Sequence, residues 1–403
     1  MIDGQAAIAD ASSYGRVDVV ATDPDNPGVA ILGTRVFFIA PNGEVIANVL
    51  ADLYGNASAD VPPGSSVTVL WPPATLETVM GVMPGDHLRF ADFAATAPLL
   101  DPMKITFPAS SSAVEYELYN PCGWSHMTSN LSDDVVCNLD DAVKPGTYFV
   151  AAISTTSPVT PFAVVEKDGV PYAPGGTLDL QGPWQPLVDC TSAHSDIPTG
   201  YTTVSQRFVA STLGFSIVRD LVTSQSGTST FAGKCAPTTM PSLERTWVYP
   251  QRNTQAYQHI FESVAATDTS YTIDVAQNLL PWMEAPTLDL ATGKVTIAVD
   301  GSADVDVFVL DVSYTREPSG TFFHWYVIAP AIADITLPRL PDELGINPRT
   351  TDEFGTSRAT AYDWAGAKSY ADVRPDFERW ITSAISAGDP HSISRYSVSD
   401  LGY

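Results

Sequence analysis

The chain has 403 residues and a formal net charge of −26, because 46 Asp and Glu residues outnumber 20 Lys and Arg residues. This charge repels nucleic-acid phosphates and anionic membranes, which argues against both classes of partner. The 44% of hydrophobic residues suffices for a core in each of two to four domains, the number that the length predicts.

The first region, residues 15–100, is predicted to be a series of short strands separated by turns. Apolar and polar residues alternate within several of its runs, which is the pattern of half-buried strands. Asn42-Gly43 predicts a type I′ hairpin between the second and third of these strands. The runs read as strands are 17–20, 35–40, 44–53, 57–61, 66–71, 75–82 and 87–90.

The spacing of turns in this region is similar to that of a known module. Pro41-Asn42-Gly43 follows one strand, Asp52-Leu53-Tyr54-Gly55 follows the next, and Val61-Pro62-Pro63-Gly64 precedes Val67-Thr68-Val69. Over about residues 15–98 this resembles the transthyretin-like or carboxypeptidase-regulatory-like β-sandwich of many secreted bacterial proteins. The resemblance implies a stalk or recognition module without an active site.

Three further regions follow, over residues 101–180, 181–333 and 334–403. The first two carry more strand patterns, and Lys167-Asp168-Gly169 predicts another hairpin turn. The last region begins with the extended segment Leu337–Pro341. It then predicts one amphipathic helix that opens at Pro375, ends near Gly388 and packs on a sandwich, or alternatively binds a partner. The apolar positions of this helix are Phe377, Trp380, Ile381, Ala384 and Ile385.

The four cysteines allow two disulfides in three connectivities. We favour Cys122 with Cys137 and Cys190 with Cys235, because each pair then lies within one β region; four buried free thiols are the alternative. Disulfides persist mainly in exported proteins. The chain starts without a signal peptide, so it is either cytosolic or a mature exported form, and the cysteines favour the second. No apolar run has the ~20 residues of a membrane span.

Two acidic stretches are candidate calcium sites, because calcium prefers six to eight oxygen ligands. The first lies between Cys122 and Cys137 or just after, and a disulfide would pre-order its carboxylates. The alternatives are a solvated acidic loop for the first stretch, and a turn followed by a strand for the second. The candidate ligands are Asp133, Asp134, Asp140 and Asp141 in the first, and Asp300, Asp304 and Asp306 in the second.

No catalytic motif is recognisable. His194-Ser195-Asp196 contains the residue types of a hydrolytic triad, but a triad brings them together from separate elements, so this stretch is interpreted as a polar loop. A carboxylate pair for glycoside hydrolysis needs only proximity in space. Glu115, Glu117 and Glu284 lie near aromatic residues and are the candidates, either for such a pair or for a sugar-binding platform.

The sequence therefore predicts a mostly β chain of tandem antiparallel, Ig-like β-sandwich domains with an extended and helical tail. The favoured function is non-enzymatic: an exported or cell-envelope protein that presents a surface for a protein or glycan, with calcium as a possible ligand. The alternatives are a carbohydrate-active hydrolase with accessory sandwiches, a structural subunit of a surface layer or appendage, and a salt-adapted cytosolic protein. The oligomeric state is not predicted.

Overall fold

A computed structural model shows that the chain is mostly β, as the sequence predicted. No helix in the part of the chain that the structure describes is both long and apolar enough to cross a bilayer. The described residues are 14–23, 29–90, 99–120, 122–128, 130–137, 146–154, 160–211, 214–216, 222–235, 242–250, 256–265, 268–300, 305–331, 334–377, 380 and 392–400.

The elements are numbered in chain order. The first seven strands are β1 (Gly15–Ala21), β2 (Arg35–Ile39), β3 (Val45–Leu50), β4 (Asn56–Val61), β5 (Ser65–Trp71), β6 (Thr75–Val82) and β7 (His87–Phe90). The next are β8 (Met103–Thr106), β9 (Glu115–Asn120), β10 (Gly123–Met127), β11 (Ser132–Val135), β12 (Gly146–Ser154), β13 (Thr160–Val170), β14 (Thr177–Asp179) and β15 (Gln185–Pro186). Then follow β16 (Val188–Ser211), β17 (Gly214–Ser216), β18 (Val222–Cys235), β19 (Ser242–Pro250), β20 (Ala256–Val264), β21 (Ser270–Asp274) and the helix α1 (Val275–Asn278). The remaining elements are β22 (Trp282–Met283), β23 (Thr287–Asp289), β24 (Lys294–Thr296), β25 (Val299–Asp300), β26 (Val307–Arg316), β27 (Thr321–Ala329), β28 (Asp334–Thr336), a 3₁₀ turn (Asp342–Leu344), β29 (Glu353–Asp363), α2 (Tyr370–Val373), a 3₁₀ turn (Arg374–Asp376) and β30 (Ile393–Asp400).

The chain forms two compact units, and both are discontinuous in sequence. Unit 1 comprises residues 1–95, 280–380 and 396–403, and unit 2 comprises residues 96–279 and 381–395. The predicted division into regions 15–100, 101–180, 181–333 and 334–403 stays a prediction.

Unit 1 begins with a β-sandwich. One sheet has the strand order β4-β1-β7, and the other contains β3-β2-β5-β6. The alternation in β1 buries Val17 and Val19, and the apolar β2 and β5 bury nearly every residue. Trp71 joins the two sheets: its ring contacts Phe90, and its indole N–H donates to the carbonyl of Thr22 at 3.0 Å.

The second part of unit 1 extends the larger sheet through one parallel contact. Strand β27 pairs in parallel with β6, in register from His324–Thr75 to Ile328–Val79. Antiparallel β26 and β29 follow, and a small sheet β23-β24-β28 supplies Val295 to the common core. Trp325 lies in this core with none of its surface exposed.

Unit 2 contains a sandwich that a disulfide spans. Sheet β10-β9-β12-β13-β15 and sheet β11-β8-β14 enclose one apolar core. Cys122 stands at the turn between β9 and β10 and Cys137 follows β11, and their Cα atoms are 5.1 Å apart in the Cys122–Cys137 disulfide. The bond therefore links the two sheets.

A second sheet of unit 2 is built around the long strand β16. Strand β18 pairs antiparallel with most of its length, β19 pairs with its second half, and β21 pairs in parallel with its first half. The Cys190–Cys235 disulfide joins the neighbouring strands β16 and β18, with Cα atoms 5.8 Å apart. Both favoured cysteine pairings are therefore present.

Two predicted turns have a different geometry. A type I′ turn needs positive φ at both central residues, but in the β2–β3 connection Gly43 has φ +86° whereas Asn42 is not left-handed. The amide of Gly43 donates to Ala40, so Pro41 and Asn42 occupy the centre of the turn. The predicted hairpin turn at Lys167-Asp168-Gly169 is wrong: these residues lie inside β13, where Gly169 (φ +68°) accompanies a bulge against β12.

Helical backbone in the tail begins at Tyr370, before the predicted start at Pro375. Phe377 and Trp380 contact the ring of Trp364 with centroids 5.9 and 6.0 Å apart, so this segment packs just beyond the end of β29. The rest of the predicted helix, including Ile381, Ala384 and Ile385, lies outside the described residues.

Candidate functional site

Two of the four first calcium candidates lie in the described part of the chain. Asp133 and Asp134 lie on strand β11, opposite Ile105 and Lys104 of β8. Because successive strand residues point to opposite faces, these two carboxylates diverge, and Asp134 faces a lysine across the strand pair. Asp140 and Asp141 lie outside the described residues.

Among the second calcium candidates, Asp306 is the one whose side chain the structure describes. Asp306 uses its carboxylate to accept the backbone N–H of Trp364 at 2.9 Å, which ties the start of β26 to the end of β29. Asp300 lies on β25, paired with Trp282, and Asp304 lies outside the described residues. Within the described residues, no group of three His, Cys, Asp or Glu side chains is close enough to hold a metal ion. The calcium sites stay predictions.

His194-Ser195-Asp196 is not a polar loop. It lies within β16, and His194 is fully buried. The Nδ1 atom of His194 is 2.9 Å from Oγ1 of Thr203, and its Nε2 atom is 3.2 Å from Oγ1 of Thr246. This histidine is a core residue whose ring contacts Thr203 of the same long strand and Thr246 of β19, and Asp196 (φ +51°) marks a bulge beside it.

Two of the three candidate acids lie on a strand. Glu115 and Glu117 occupy the same face of β9, since they are two residues apart. Glu117 accepts the hydroxyl of Tyr119, and Glu115 lies 3.3 Å from Nε2 of His126 on β10. Glu284 belongs to unit 1 and directly follows β22.

The structure exposes a row of rings that the sequence reasoning did not single out. Phe322, His324 and Tyr326 alternate along β27 and therefore share one face. The ring centroids of Phe322 and His324 are 6.1 Å apart, and those of His324 and Tyr326 are 4.2 Å apart. We call these three residues the β27 aromatic row.

The row lies where the sheet face becomes open to solvent. On this face of β27, relative exposure rises from 2% at Ile328 to 36% at Tyr326 and 55% at Phe322. Nε2 of His324 is hydrogen-bonded to a carboxylate oxygen of Asp311 on β26, which orients the imidazole in the middle of the row. The result is a partly exposed aromatic strip, its neighbouring rings tilted by 42° and 53°, with a hydrogen-bonded pair at its centre.

A second aromatic surface lies in unit 2. Trp247 and Tyr249 of β19 contact each other and face Tyr257 and His259 of β20, with centroid distances of 5.1 to 6.4 Å. The guanidinium of Arg245 stacks 4.4 Å from the centre of the Trp247 ring. Burial raises the pKa of the Tyr249 phenol despite the opposing charge of Arg245, so this hydroxyl stays protonated at neutral pH. These rings are half-buried or buried, unlike Phe322.

A sequence signal for the β27 row does exist. Residues 322–326 read Phe-Phe-His-Trp-Tyr, so both faces of the strand are aromatic. A half-buried strand buries only one face, which leaves rings on the other. Phe323 and Trp325 are buried on one face of the strand, and the rings on the opposite face form the row.

Comparisons with known proteins do not show which family the chain belongs to. The sequence matches no protein-family model and no curated protein. Among solved structures, the chain is similar to the Bacillus anthracis TIE protein (10% identity, TM-score 0.15), covering 65% of this chain and 50% of that one. It is similar to a Ca²⁺-stabilised adhesin that helps an Antarctic bacterium to bind ice (11% identity, TM-score 0.12), covering 87% of this chain and 95% of that one. It is also similar to the pilus adhesin SpaC of Lactobacillus rhamnosus GG (12% identity, TM-score 0.15), covering 79% of this chain and 44% of that one. At these TM-scores the likenesses carry no argument about function.

Proposed function

We propose that this chain is a non-enzymatic recognition protein that binds a glycan through the β27 aromatic row. The observation that carries the proposal is the exposure of Phe322 and Tyr326 on an open sheet face. Exposed rings of this size contribute large apolar contact areas at little cost in conformational entropy. They pack well against the flat C–H faces of a sugar ring, while Asp311 and His324 offer a polar pair to hydroxyl groups.

Export to an extracellular or cell-envelope location is part of the proposal, and so is the transthyretin-like character of residues 15–98. The two disulfides support export, because such bonds persist mainly in oxidising compartments. The test is alkylation of the denatured, natively purified protein before and after reduction. No reactive thiol before reduction and four after it are expected; four reactive thiols at the start would remove this support.

The glycan proposal is tested by retention of the intact protein in gels that contain neutral polysaccharides. Wild type is expected to be retarded by at least one of them. Phe322→Ala and Tyr326→Ala are expected to lose most of this retardation, because each removes a contacting ring face.

Tyr54→Ala is the matched control, since Tyr54 is 78% exposed in the loop between β3 and β4, away from β27. It should migrate as wild type does. Retention that Tyr54→Ala reduces as strongly as Phe322→Ala, or a wild type that no polysaccharide retards, would contradict a glycan site on this row. A protein partner captured through Phe322 would replace the glycan in the proposal.

A further inference from the structure

A small cavity in unit 1 lies beside two arginines. Its volume is about 290 Å³, close to the lower end of the ~300–1,000 Å³ range of small-molecule sites. Its walls are the turn between β23 and β24 and the loops that follow β28. Arg339 and Arg349 line it together with Thr292 and Asn347.

One of these arginines is neutralised within the wall. Nη2 of Arg339 lies 3.2 and 3.0 Å from the two carboxylate oxygens of Asp342. Asn347 donates to the same carboxylate at 3.1 Å. The pKa of Asp342 is lowered, first by the hydrogen bond from Arg339, then by Asn347, and also by the charge of Arg349. Asp342 is therefore ionised, and its carboxylate already accepts hydrogen bonds from Arg339 and Asn347.

Arg349 is different, because its guanidinium has no carboxylate within ion-pair distance among the described residues. Its Nη2 atom lies 3.9 Å from the point where a Cβ on Gly345 would stand, and Gly345 also lines the cavity. Its exposed positive charge is therefore held at the cavity wall.

A third guanidinium approaches the same point from the protein interior. Nη1 of Arg316 is also 3.9 Å from the Cβ position of Gly345, and it is buried without a hydrogen-bond partner in the described structure. The other nitrogens of Arg316 bind Asp352 at 3.0 and 2.8 Å. Three carboxylates accompany these three guanidinium groups: Asp342, Asp352 and Asp289, which accepts the hydroxyl of Thr292 at 2.7 Å. Arg349 is the arginine of the three that pairs with none of them.

We propose that this cavity binds an oxyanion, a carboxylate or sulfate group, carried by a ligand no larger than a monosaccharide. Arg349 supplies the charge-assisted hydrogen bonds, and Thr292 and Asn347 flank the bound group. An arginine without a carboxylate partner among the described residues is notable in a chain with only 20 Lys and Arg residues and a net charge of −26. Like charges that converge in a partly desolvated site are stabilised by an anion between them.

The test is isothermal titration calorimetry of the full chain at low ionic strength with D-glucuronate and inorganic sulfate, and with D-glucose as the neutral probe. Glucuronate and sulfate are expected to bind and glucose is not. Arg349→Gln is expected to weaken binding of both anions about tenfold or more, because a hydrogen bond to a charged group contributes roughly that factor. Arg349→Lys keeps the charge but not the planar guanidinium, so its affinity for both anions should lie between those of wild type and Arg349→Gln.

Arg35→Gln is the matched control, since Arg35 is an exposed arginine of the same unit outside the cavity. Thermal melts of each variant show whether the fold is retained; if Arg349→Gln were unfolded, Arg349→Lys and the salt dependence of wild-type binding would decide. Absence of heat with both anions, equal binding of glucose, or unchanged affinity in a folded Arg349→Gln protein would overturn the proposal. The site uses none of the β27 row, so Phe322→Ala should leave glucuronate binding unchanged, and either proposal can fail alone.

Discussion

The fully buried hydrogen-bonded chain of Trp325, Thr78 and Thr68 gives the sharpest stability prediction. The indole N–H of Trp325 donates to Oγ1 of Thr78 at 2.8 Å, and the hydroxyls of Thr78 and Thr68 are 2.8 Å apart. All three residues are 0% exposed. The bonds cross three neighbouring strands, β27, β6 and β5, and so join the N-terminal sandwich to the second part of unit 1.

Thr78→Val keeps the shape of the side chain but leaves two buried groups unpaired, the Trp325 indole and the Thr68 hydroxyl. Each unpaired group costs about 1–3 kcal/mol, so the free energy of unfolding of unit 1 should fall by roughly 2–6 kcal/mol. Adding Thr68→Val removes one of the orphaned groups. The double variant should therefore be more stable than Thr78→Val by about 1–3 kcal/mol.

Urea unfolding of the full chain, followed by tryptophan fluorescence, measures these differences. Thr75→Val on the same strand is the control, because Thr75 is partly exposed, and its effect should stay within about 0.5 kcal/mol. A double variant less stable than Thr78→Val would refute the reasoning, since it would mean that the two hydroxyls are not each other's partners.

Two further stability predictions follow from local geometry. Gly55→Ala should lower the stability more than Gly43→Ala does. Both glycines have positive φ (+80° and +86°), so Gly43→Ala alone should cost about 1–2 kcal/mol, but only a Cβ on Gly55 meets a backbone carbonyl, at 2.3 Å. Equal melting temperatures of the two variants would contradict this. Asp352→Asn should lower the free energy of unfolding by about 3–5 kcal/mol at neutral pH, because it leaves buried Arg316 without its counter-charge. Burial opposes ionisation of Asp352, but hydrogen bonds from Arg316 and from a backbone N–H outweigh it and lower the pKa. The wild type should therefore lose this stability as pH falls below about 3.9 and through the lowered pKa, whereas Asp352→Asn should lose none of it there, and parallel acid-unfolding curves would argue against the pair.

Strand positions were predictable because burial of one face imposes a two-residue period on the sequence. The alternation in β1 and in residues 66–71 placed those strands within a residue or two. Turn geometry was less predictable, since Asp168-Gly169 in isolation fits a hairpin as well as a bulge. Only the pairing of Tyr148 with Lys167 and of Gly146 with Val170 shows which one is present.

The candidate sites were harder to predict, because they depend on contacts between residues far apart in sequence. Asp133 and Asp134 are adjacent in sequence, but the pleat of β11 directs their side chains to opposite faces of the strand. Arg316 and Arg349 gave no sequence signal at all, and only the packing of the loops after β28 brings both towards Gly345.

The parallel contact between β6 and β27 has a consequence for biosynthesis. About 245 residues separate Val79 from His324, so a ribosome adding roughly 5–20 residues per second needs some 12–50 s to deliver the partner strand. Throughout that interval the outer edge of β6 has unsatisfied amides and carbonyls, and such an edge recruits other nascent strands. The β6 edge of an emerging chain is therefore open to such pairing until β27 has been synthesised.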